Sequence, residues 1–188
     1  MVQYALPIST FNDVGWEEGA GDGGGAGDSW DELNEGHGAG RGSGSGPDAA
    51  TTYWRNTGTT GFAFGTQQNL GAVTDPVVHT GHIVRSQNRK HASGGRQIDI
   101  TPRLQQEDTY VEGLNFPNVD NVWTVRSFTL TESRAATITD YTLLRQRTYG
   151  TPVGGGGPRD AEESAMEFEC PDAPAGGGFA HSQGVIVG

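Results

Sequence analysis

The sequence predicts an all-β protein: an antiparallel β-sandwich of jelly-roll type with one short helix, an extended Gly-rich N-terminal loop and terminal arms. About seven or eight runs alternate apolar and polar residues with turn residues between them, which is typical of strands that bury one face. No segment has the period of a long helix. The connections are long and one of them contains a helical turn, which favours a jelly roll over an immunoglobulin-like sandwich.

The size and composition of the chain indicate one small domain with irregular extensions. Of its 188 residues only 33% are hydrophobic and 31 are glycine, so the packed core is small and much of the backbone runs as loop. Composition divides the chain into an N-terminal arm or first strand at 1–16, a Gly-rich acidic loop at 17–50, the sandwich at 51–172 and a C-terminal tail at 173–188.

The N-terminal segment carries enough apolar side chains to pin a strand or an arm onto a surface. The loop that follows is dominated by Gly with Asp, Glu and Ser, which bury too little apolar area to offset the entropy of ordering. Within this loop Ser29 and Glu32 resemble a capping box, so we expect a single helical turn there that anchors the loop through Trp30 and Leu33.

The sandwich is expected to begin with strand-like segments around Tyr53 and Phe62. The clearest alternation in its first half is the run in which Ile98, Ile100 and Leu104 alternate with polar residues. This pattern predicts a strand with one face in the core and the other in water. The last strand, at 164–170, alternates again, so its apolar side chains are expected on the face opposite its glutamates.

The segment 124–147 reads as a strand, a short helical turn and a second strand. Phe128 and Leu130 alternate with polar residues, and the sequence TESRAAT that follows offers a Thr cap and small helix formers. A second alternating run starts at Asp140 and Tyr141. A strand–helix–strand unit of this kind is typical of a crossover between the sheets of a sandwich.

Charge and cysteine content argue against several classes of protein. With 12 basic and 23 acidic residues the net charge is -11, so phosphate backbones repel the chain and no nucleic-acid binding is expected. Cys170 is the only cysteine, so no intrachain disulfide forms and the fold suits a reducing cytosol. Neither a signal sequence nor an apolar run of membrane-spanning length is found, so neither secretion nor membrane insertion is expected.

No pattern of a catalytic or cofactor site is found in the sequence. It lacks a G-x-S-x-G motif and a phosphate-binding loop, and paired carboxylates such as Glu162 and Glu163 are common in any acidic chain. We therefore expect no enzymatic activity, no cofactor and no metal. A calcium site at Asp22 and Asp28 and a transition-metal site at the histidines are weaker alternatives, because neither spacing matches a metal-binding motif.

Four aromatic side chains are candidates for an exposed glycan platform that stacks on sugar rings. They are Tyr53, Trp54, Trp123 and Tyr149. Jelly rolls often serve as carbohydrate-binding modules, which favours this hypothesis. Because the chain is poor in apolar residues, however, at least two of the four are expected to be needed in the core.

Five segments carry a resemblance to a known family and cover most of residues 13–172. They are DVGW at 13–16, LGAVTDP at 70–76, GHIVR at 81–85, the segment 130–145, and MEFECP at 166–171. In this order they resemble a family of jelly-roll-like virion proteins, encoded among the head and tail genes of tailed bacteriophages. The chain departs from the family pattern in a Gly-rich insert at about 19–47, and at Gln146 and Thr148, where bulkier apolar side chains would fit the buried face.

The resemblance implies a non-enzymatic virion protein made in the host cytoplasm, and the main hypothesis is a capsid decoration or cement protein on the exterior of the phage head. Its partners would be the major capsid protein and copies of itself, with a homotrimer as one arrangement. The contacts are expected from apolar side chains of the two arms, namely Tyr4, Leu6, Ile8, Phe11, Phe179, Val185, Ile186 and Val187. The alternatives are a tail or tail-fibre subunit with a glycan-binding sandwich, and a free carbohydrate-binding module or lectin of non-viral origin.

Overall fold

The computed structural model of the chain describes residues 2–14, 16–20, 33–34, 53–56 and 64–174. Several predictions concern residues outside these ranges: the calcium site, the helical turn at 29–32, the short run around Phe62 and the C-terminal partner contacts. The residues involved are Asp22, Asp28, Ser29, Trp30, Glu32, Phe62, Phe179, Val185, Ile186 and Val187.

In the described part of the chain the backbone forms eleven strands and one short helix. The first six strands are β1 (Val2–Ala5), β2 (Pro7–Val14), β3 (Trp16–Ala20), β4 (Tyr53–Asn56), β5 (Phe64–Leu70) and β6 (Ile83–Lys90). The remaining elements are β7 (Gln97–Gln106), β8 (Thr109–Gly113), β9 (Thr124–Thr129), helix α1 (Glu132–Ala135), β10 (Leu144–Val153) and β11 (Ala161–Pro171). No helix among the described residues has the length and apolar character needed to cross a bilayer.

The strands form two antiparallel sheets that pack face to face, which confirms the predicted sandwich. Sheet A has the strand order β3-β4-β11-β6-β9, and β1 also pairs with β11. Sheet B has the order β2-β5-β10-β7-β8. From β5 to β11 the chain changes sheet at every connection except the β7–β8 hairpin, so most neighbours in sequence lie in opposite sheets, as in a jelly roll.

The alternation of buried and exposed side chains along the strands agrees with the prediction from the sequence. In β6 and β7 every second side chain is buried, and Ile98, Ile100 and Leu104 are each at most 2% exposed. The apolar side chains of β11 also face the interior. One of them is Cys170, a free cysteine, and burial raises the pKa of its thiol to about 12.

The connection between β9 and β10 contains the predicted short helix, but the second strand starts later than expected. Helix α1 buries Ala135. A carboxylate oxygen of Asp140 accepts hydrogen bonds from the backbone N–H and the hydroxyl of Thr142, at 2.8 and 2.6 Å. The chain therefore turns at this point instead of extending. Tyr141 lies before the strand, with its buried hydroxyl 2.7 Å from Nε2 of His82, and burial lowers the pKa of that imidazole.

The interior between the sheets holds polar as well as apolar side chains. Two clusters of buried apolar side chains form the core, the larger around Phe168 and the smaller around Trp54. Fully buried polar side chains of β5, β6, β10 and β11 face the same interior, and these are Thr66, Gln68, Ser86, Asn88, Gln146, Thr148 and Glu163. Several of these side chains bond to one another, although Oε1 of Gln146 and Oε2 of Glu163 have no hydrogen-bond partner within the described residues.

Gln146 and Thr148, where the chain departs from the family pattern, bond across the interior to the opposite sheet. Nε2 of Gln146 donates to the backbone oxygen of Arg85 at 2.8 Å, and the hydroxyl of Thr148 donates to Oε1 of Glu163 at 3.3 Å. The hydroxyl of Ser86 donates to the same oxygen at 2.6 Å. Burial raises the pKa of Glu163 to about 8, so this carboxyl is protonated at neutral pH. The register of β10 against both neighbouring strands is regular.

The described N-terminal residues form strands of the sandwich. Strand β1 pairs with β11, and β2 pairs with β5 at the edge of sheet B. In this segment Tyr4 and Leu6 are half-buried. The register of β2 shifts at Ile8 and again at Phe11, and these two side chains are 56% and 45% exposed. Both exposed side chains therefore lie at bulges, which change the direction in which a side chain points.

Candidate functional site

The four aromatic residues of the predicted glycan platform lie in three different places. Trp54 is 1% exposed and belongs to the smaller apolar cluster of the core. Tyr53 and Trp123 lie together on the outer face of sheet A, with ring centroids 5.6 Å apart and planes tilted by 60°. Tyr149 lies on the outer face of sheet B, since its neighbour Thr148 faces the interior. The structure therefore brings only two of the four rings together.

The outer face of sheet A is organised around the buried carboxylate of Glu162 near these two rings. The Nε atoms of Arg55 and Arg89 donate to it at 2.8 and 2.6 Å, and Nδ1 of His91 is 2.7 Å from Oε1. The guanidinium of Arg89 also lies over the ring of Trp123, with Cζ 4.4 Å from the centroid. These groups satisfy one another, which is typical of a structural ion-pair cluster.

Two rows of outward side chains cross β5, β10 and β7 on the outer face of sheet B. One row is Gln67, Arg147 and Arg103, and the other is Asn69, Arg145 and Gln105. We call the surface formed by these six side chains the arginine face. The side chains point outward because the residues between them on each strand are buried in the interior.

Of the three arginines on this face, Arg145 is the one whose guanidinium bonds to other described side chains of the protein. Its Nε donates to the amide oxygen of Asn69 at 2.9 Å, and its Nη1 donates to Oδ1 of Asp108 at 3.0 Å. The amide nitrogen of Asn69 donates in turn to the hydroxyl of Ser9 at 2.9 Å. The guanidinium lies over the ring of Phe11, with Cζ 3.6 Å from the centroid. A guanidinium with this many partners is fixed in orientation.

Arg147 and Arg103 have no such partners. Within the described residues neither guanidinium has an ion pair, although both lie over the ring of Tyr149, with Cζ 4.5 and 4.4 Å from its centroid. Gly113 on β8 leaves room for the stem of Arg103, because a Cβ there would be 2.5 Å from its Cγ. The ring of Tyr149 thus positions two cationic groups to which the described residues give no hydrogen-bond acceptor.

Three buried polar atoms of the arginine face have no hydrogen-bond partner within the described part of the chain. They are Nε2 of Gln67, Oε1 of Gln105 and Nε of Arg147. Gln67 as a whole is 2% exposed. Buried polar atoms are rarely left unpaired in folded proteins, because each costs about 1–3 kcal/mol. Among the described side chains, the outer face of sheet A has one such atom, Oε1 of Gln87.

Aromatic side chains lie at both edges of the arginine face. Phe11 is on the edge strand β2 and Tyr110 on the opposite edge strand β8, and each is 45% exposed. Beside Phe11 a groove of about 290 Å³ is lined by Ile8, Ser9, Asn69, Leu70 and residues 142–145. The face therefore offers exposed rings at its ends and polar groups at its centre.

A larger hollow of about 430 Å³ lies near Asp75 and Asp140. Its polar groups are already paired: Thr142 donates to the carboxylate of Asp140, and the side-chain amide of Gln3 bonds to the backbone of Thr74 and Pro171. Thr142 holds the pKa of Asp140 below its usual value by these hydrogen bonds. This hollow is larger than the groove beside Phe11 but has fewer free polar groups, so it is the weaker candidate.

The three described histidines have different surroundings. His82 is buried against Tyr141, His91 bonds to Glu162, and His79 is exposed. No group of three or more potential metal ligands is found in the described ranges. Of the predicted partner contacts, Ile8 and Phe11 lie beside the groove at the edge of the arginine face. That any of them contacts a capsid stays a prediction.

No family model matches the chain, and no curated protein matches it. Several solved structures are similar in fold. A family 16 carbohydrate-binding module is 14% identical, with 63% of this chain and 76% of that chain covered and a TM-score of 0.37. A structure described by the words "CBM4 structure and function" is 17% identical, with 62% of this chain and 70% of that chain covered and a TM-score of 0.36. A family 29 carbohydrate-binding module from Piromyces equi is 7% identical, with 91% and 92% covered and a TM-score of 0.36. Likenesses this distant say nothing about what this chain binds, and membership of a virion stays a prediction.

Proposed function

We propose that this β-sandwich is a non-catalytic module that binds an extended glycan across the outer face of sheet B. The observation that carries the proposal is the arrangement of the arginine face: unpaired amide and guanidinium groups at its centre and half-exposed rings of Phe11 and Tyr110 at its two edges. Glycan binding is common to two of the hypotheses drawn from the sequence, the tail-fibre subunit and the free module.

The chemistry of this face matches that of a sugar chain. A sugar ring presents apolar C–H groups, which pack on aromatic rings, and hydroxyls that donate and accept hydrogen bonds. Side-chain amides such as those of Gln67 and Gln105 also donate and accept, and a guanidinium donates to two oxygens at once. Ligand hydroxyls would therefore bond to the partly exposed side chains of Arg103, Gln105 and Arg147.

The dimensions of the face favour a chain over a single sugar. Phe11 and Tyr110 lie on strands at opposite edges of the five-stranded sheet B. Neighbouring strands are about 4.8 Å apart, so the face extends roughly 19 Å across the strands. A ligand that reaches both rings must contain several sugar units in line.

Binding to a panel of polysaccharides tests this proposal. The wild type is run in affinity electrophoresis against neutral and acidic polymers, and binding of at least one is then measured by calorimetry. Phe11→Ala and Tyr110→Ala are each expected to weaken binding about tenfold, as loss of a well-packed ring at an interface does. Trp123→Ala, on the outer face of sheet A, is the matched control and should leave affinity unchanged.

The outcomes separate the two faces of the sandwich. Loss of binding in Trp123→Ala with full binding in Tyr110→Ala would move the site to the Glu162 cluster and overturn its assignment to sheet B. Failure of the wild type to bind any polymer of the panel would overturn glycan binding altogether. Far-ultraviolet circular dichroism of each variant shows that the fold is retained.

A further inference from the structure

We infer that the glycan bound by the arginine face is anionic, with carboxylate or sulfate groups that pair with Arg147 and Arg103. This inference rests on the proposed function and names the class of its ligand. It goes beyond glycan binding, because amides and rings alone would bind a neutral sugar chain equally well.

The first observation is that two like charges lie directly opposite each other. Arg147 on β10 and Arg103 on β7 are register partners in the middle of sheet B. Like charges at such a position destabilise a sheet. Their neighbour Arg145 has a carboxylate partner in Asp108, whereas the part of the chain that the structure describes gives none to Arg147 or Arg103. An anion between the two guanidinium groups would remove the repulsion.

The second observation is that both cations are positioned before any ligand binds. Each guanidinium lies within 4.5 Å of the centroid of the Tyr149 ring, and each arginine packs against a glycine: the guanidinium of Arg147 against Gly65 and the stem of Arg103 against Gly113. The planar guanidinium fork fits the two oxygens of a carboxylate or sulfate. Nε of Arg147, one prong of that fork, is buried without a partner.

The net charge of -11 does not oppose a local anion site. Nine of the 23 acidic residues lie at 13–50, and the central rows of the arginine face contain no acidic residue. At physiological salt the Debye length is about 8 Å, so distant charges are screened while groups in contact are not. We expect slow association of a polyanion, because of the overall repulsion, and slow dissociation once it is bound.

The experiment uses polymers that differ only in their anionic groups. Polygalacturonate is compared with its fully methyl-esterified form, and dextran sulfate with dextran, by calorimetry on the whole chain. The anionic member of at least one pair is expected to bind about tenfold or more tightly than its neutral partner, since each guanidinium forms a charge-assisted bond with it. The pair that shows the difference tells whether the group is a carboxylate or a sulfate.

Variants test whether the two arginines cause the preference. Arg147→Gln and Arg103→Gln each keep a polar side chain and remove one charge, and each should reduce the preference for the anionic polymer. Arg147→Lys keeps the charge but loses the planar guanidinium fork. This variant should therefore retain only part of the preference for the anionic polymer. Arg159→Gln is the control for net charge, because Arg159 bonds to the backbone of Ser93 in a loop away from this face.

The results distinguish failure of this inference from failure of the proposed function. Equal affinity for charged and neutral polymers, or a preference that survives Arg147→Gln and Arg103→Gln, would overturn the anionic ligand and leave glycan binding intact. Absence of binding to all four polymers, together with the wider panel, would overturn both. Equally tight binding of duplex DNA would show a nonspecific cation patch and also overturn the inference.

Discussion

Arg147 lies across Gly65 of the neighbouring strand, so close that a Cβ atom on the glycine would be 2.5 Å from Nε of the arginine. The glycine is therefore part of the arginine face, although it has no side chain of its own. Its role is to let the guanidinium lie flat toward the ring of Tyr149, 4.5 Å from the ring centroid.

Gly65→Ala is expected to weaken ligand binding without unfolding the protein. The new methyl group displaces the far end of a flexible side chain, so the free energy of unfolding should change by less than about 1 kcal/mol, because alanine also lowers the entropy of the unfolded chain. Affinity for the polysaccharide that the wild type binds should fall about tenfold. Gly155→Ala, where a Cβ meets nothing within 4 Å, is the control. Unchanged affinity would show that the position of Arg147 is immaterial.

Glu162→Ala is expected to cost about 3 kcal/mol of stability, measured by urea unfolding. The side chain of Glu162 is fully buried, and its removal leaves Arg55 and Arg89, which are 24% and 25% exposed, without their carboxylate. Asp108→Ala removes an ion pair whose carboxylate is 84% exposed, and should cost less than about 1 kcal/mol. Equal losses in the two variants would mean that the Glu162 cluster is not structural.

Glu163→Gln is expected to change how stability depends on pH. The pKa of Glu163 is about 8 in the folded protein and 4.5 as an ordinary value, so between these the folded state binds a proton that the unfolded state lacks. This group therefore lowers the free energy of unfolding by about 1.4 kcal/mol for each unit that pH rises in that window.

Glutamine resembles the protonated acid and removes this slope. The variant should thus gain stability over the wild type progressively as pH rises from about 5 to 8, in urea unfolding followed at several pH values. Glu132→Gln, at an exposed position on α1, is the matched control and should run parallel to the wild type. Parallel curves for Glu163→Gln would show that Glu163 is ionised in the fold.

Trp54→Ala and Trp123→Ala are expected to differ sharply in stability. Trp54 fills the smaller apolar cluster at 1% exposure, so its truncation should cost about 3–5 kcal/mol. Trp123 is half-buried and loses its contacts with Arg89 and with the ring of Tyr53, each worth about 1 kcal/mol or less. Thermal unfolding of both variants measures the difference, and similar costs would contradict the placement of Trp54.

Local alternation explains the part of the fold that the sequence could predict. It assigned the interior faces of β7 and β11, because these faces follow from the two-residue period of a strand. The same rule already separates Tyr53 from Trp54, since consecutive residues of a strand point to opposite faces. It cannot locate the bulge between Glu163 and Ala165, which depends on how β11 meets β6.

The arginine face could not be predicted, because its rows combine strands that are far apart in the sequence. Arg147 meets Gln67 on one side and Arg103 on the other only once β10 is placed between β5 and β7. The one local signal was the alternation of Arg145, Gln146 and Arg147, which puts both arginines on the same face. In the sequence this alternation indicated only that one face of β10 is exposed to solvent.

Val2 and Pro171 are register partners, so the first and last described strands end side by side on sheet A. A host protein could therefore carry this sandwich within one of its own loops, with two short links that leave from the same place. The arginine face belongs to the other sheet. Links that leave from these strand ends of sheet A would not cross the outer face of sheet B, so the arginine face would stay uncovered.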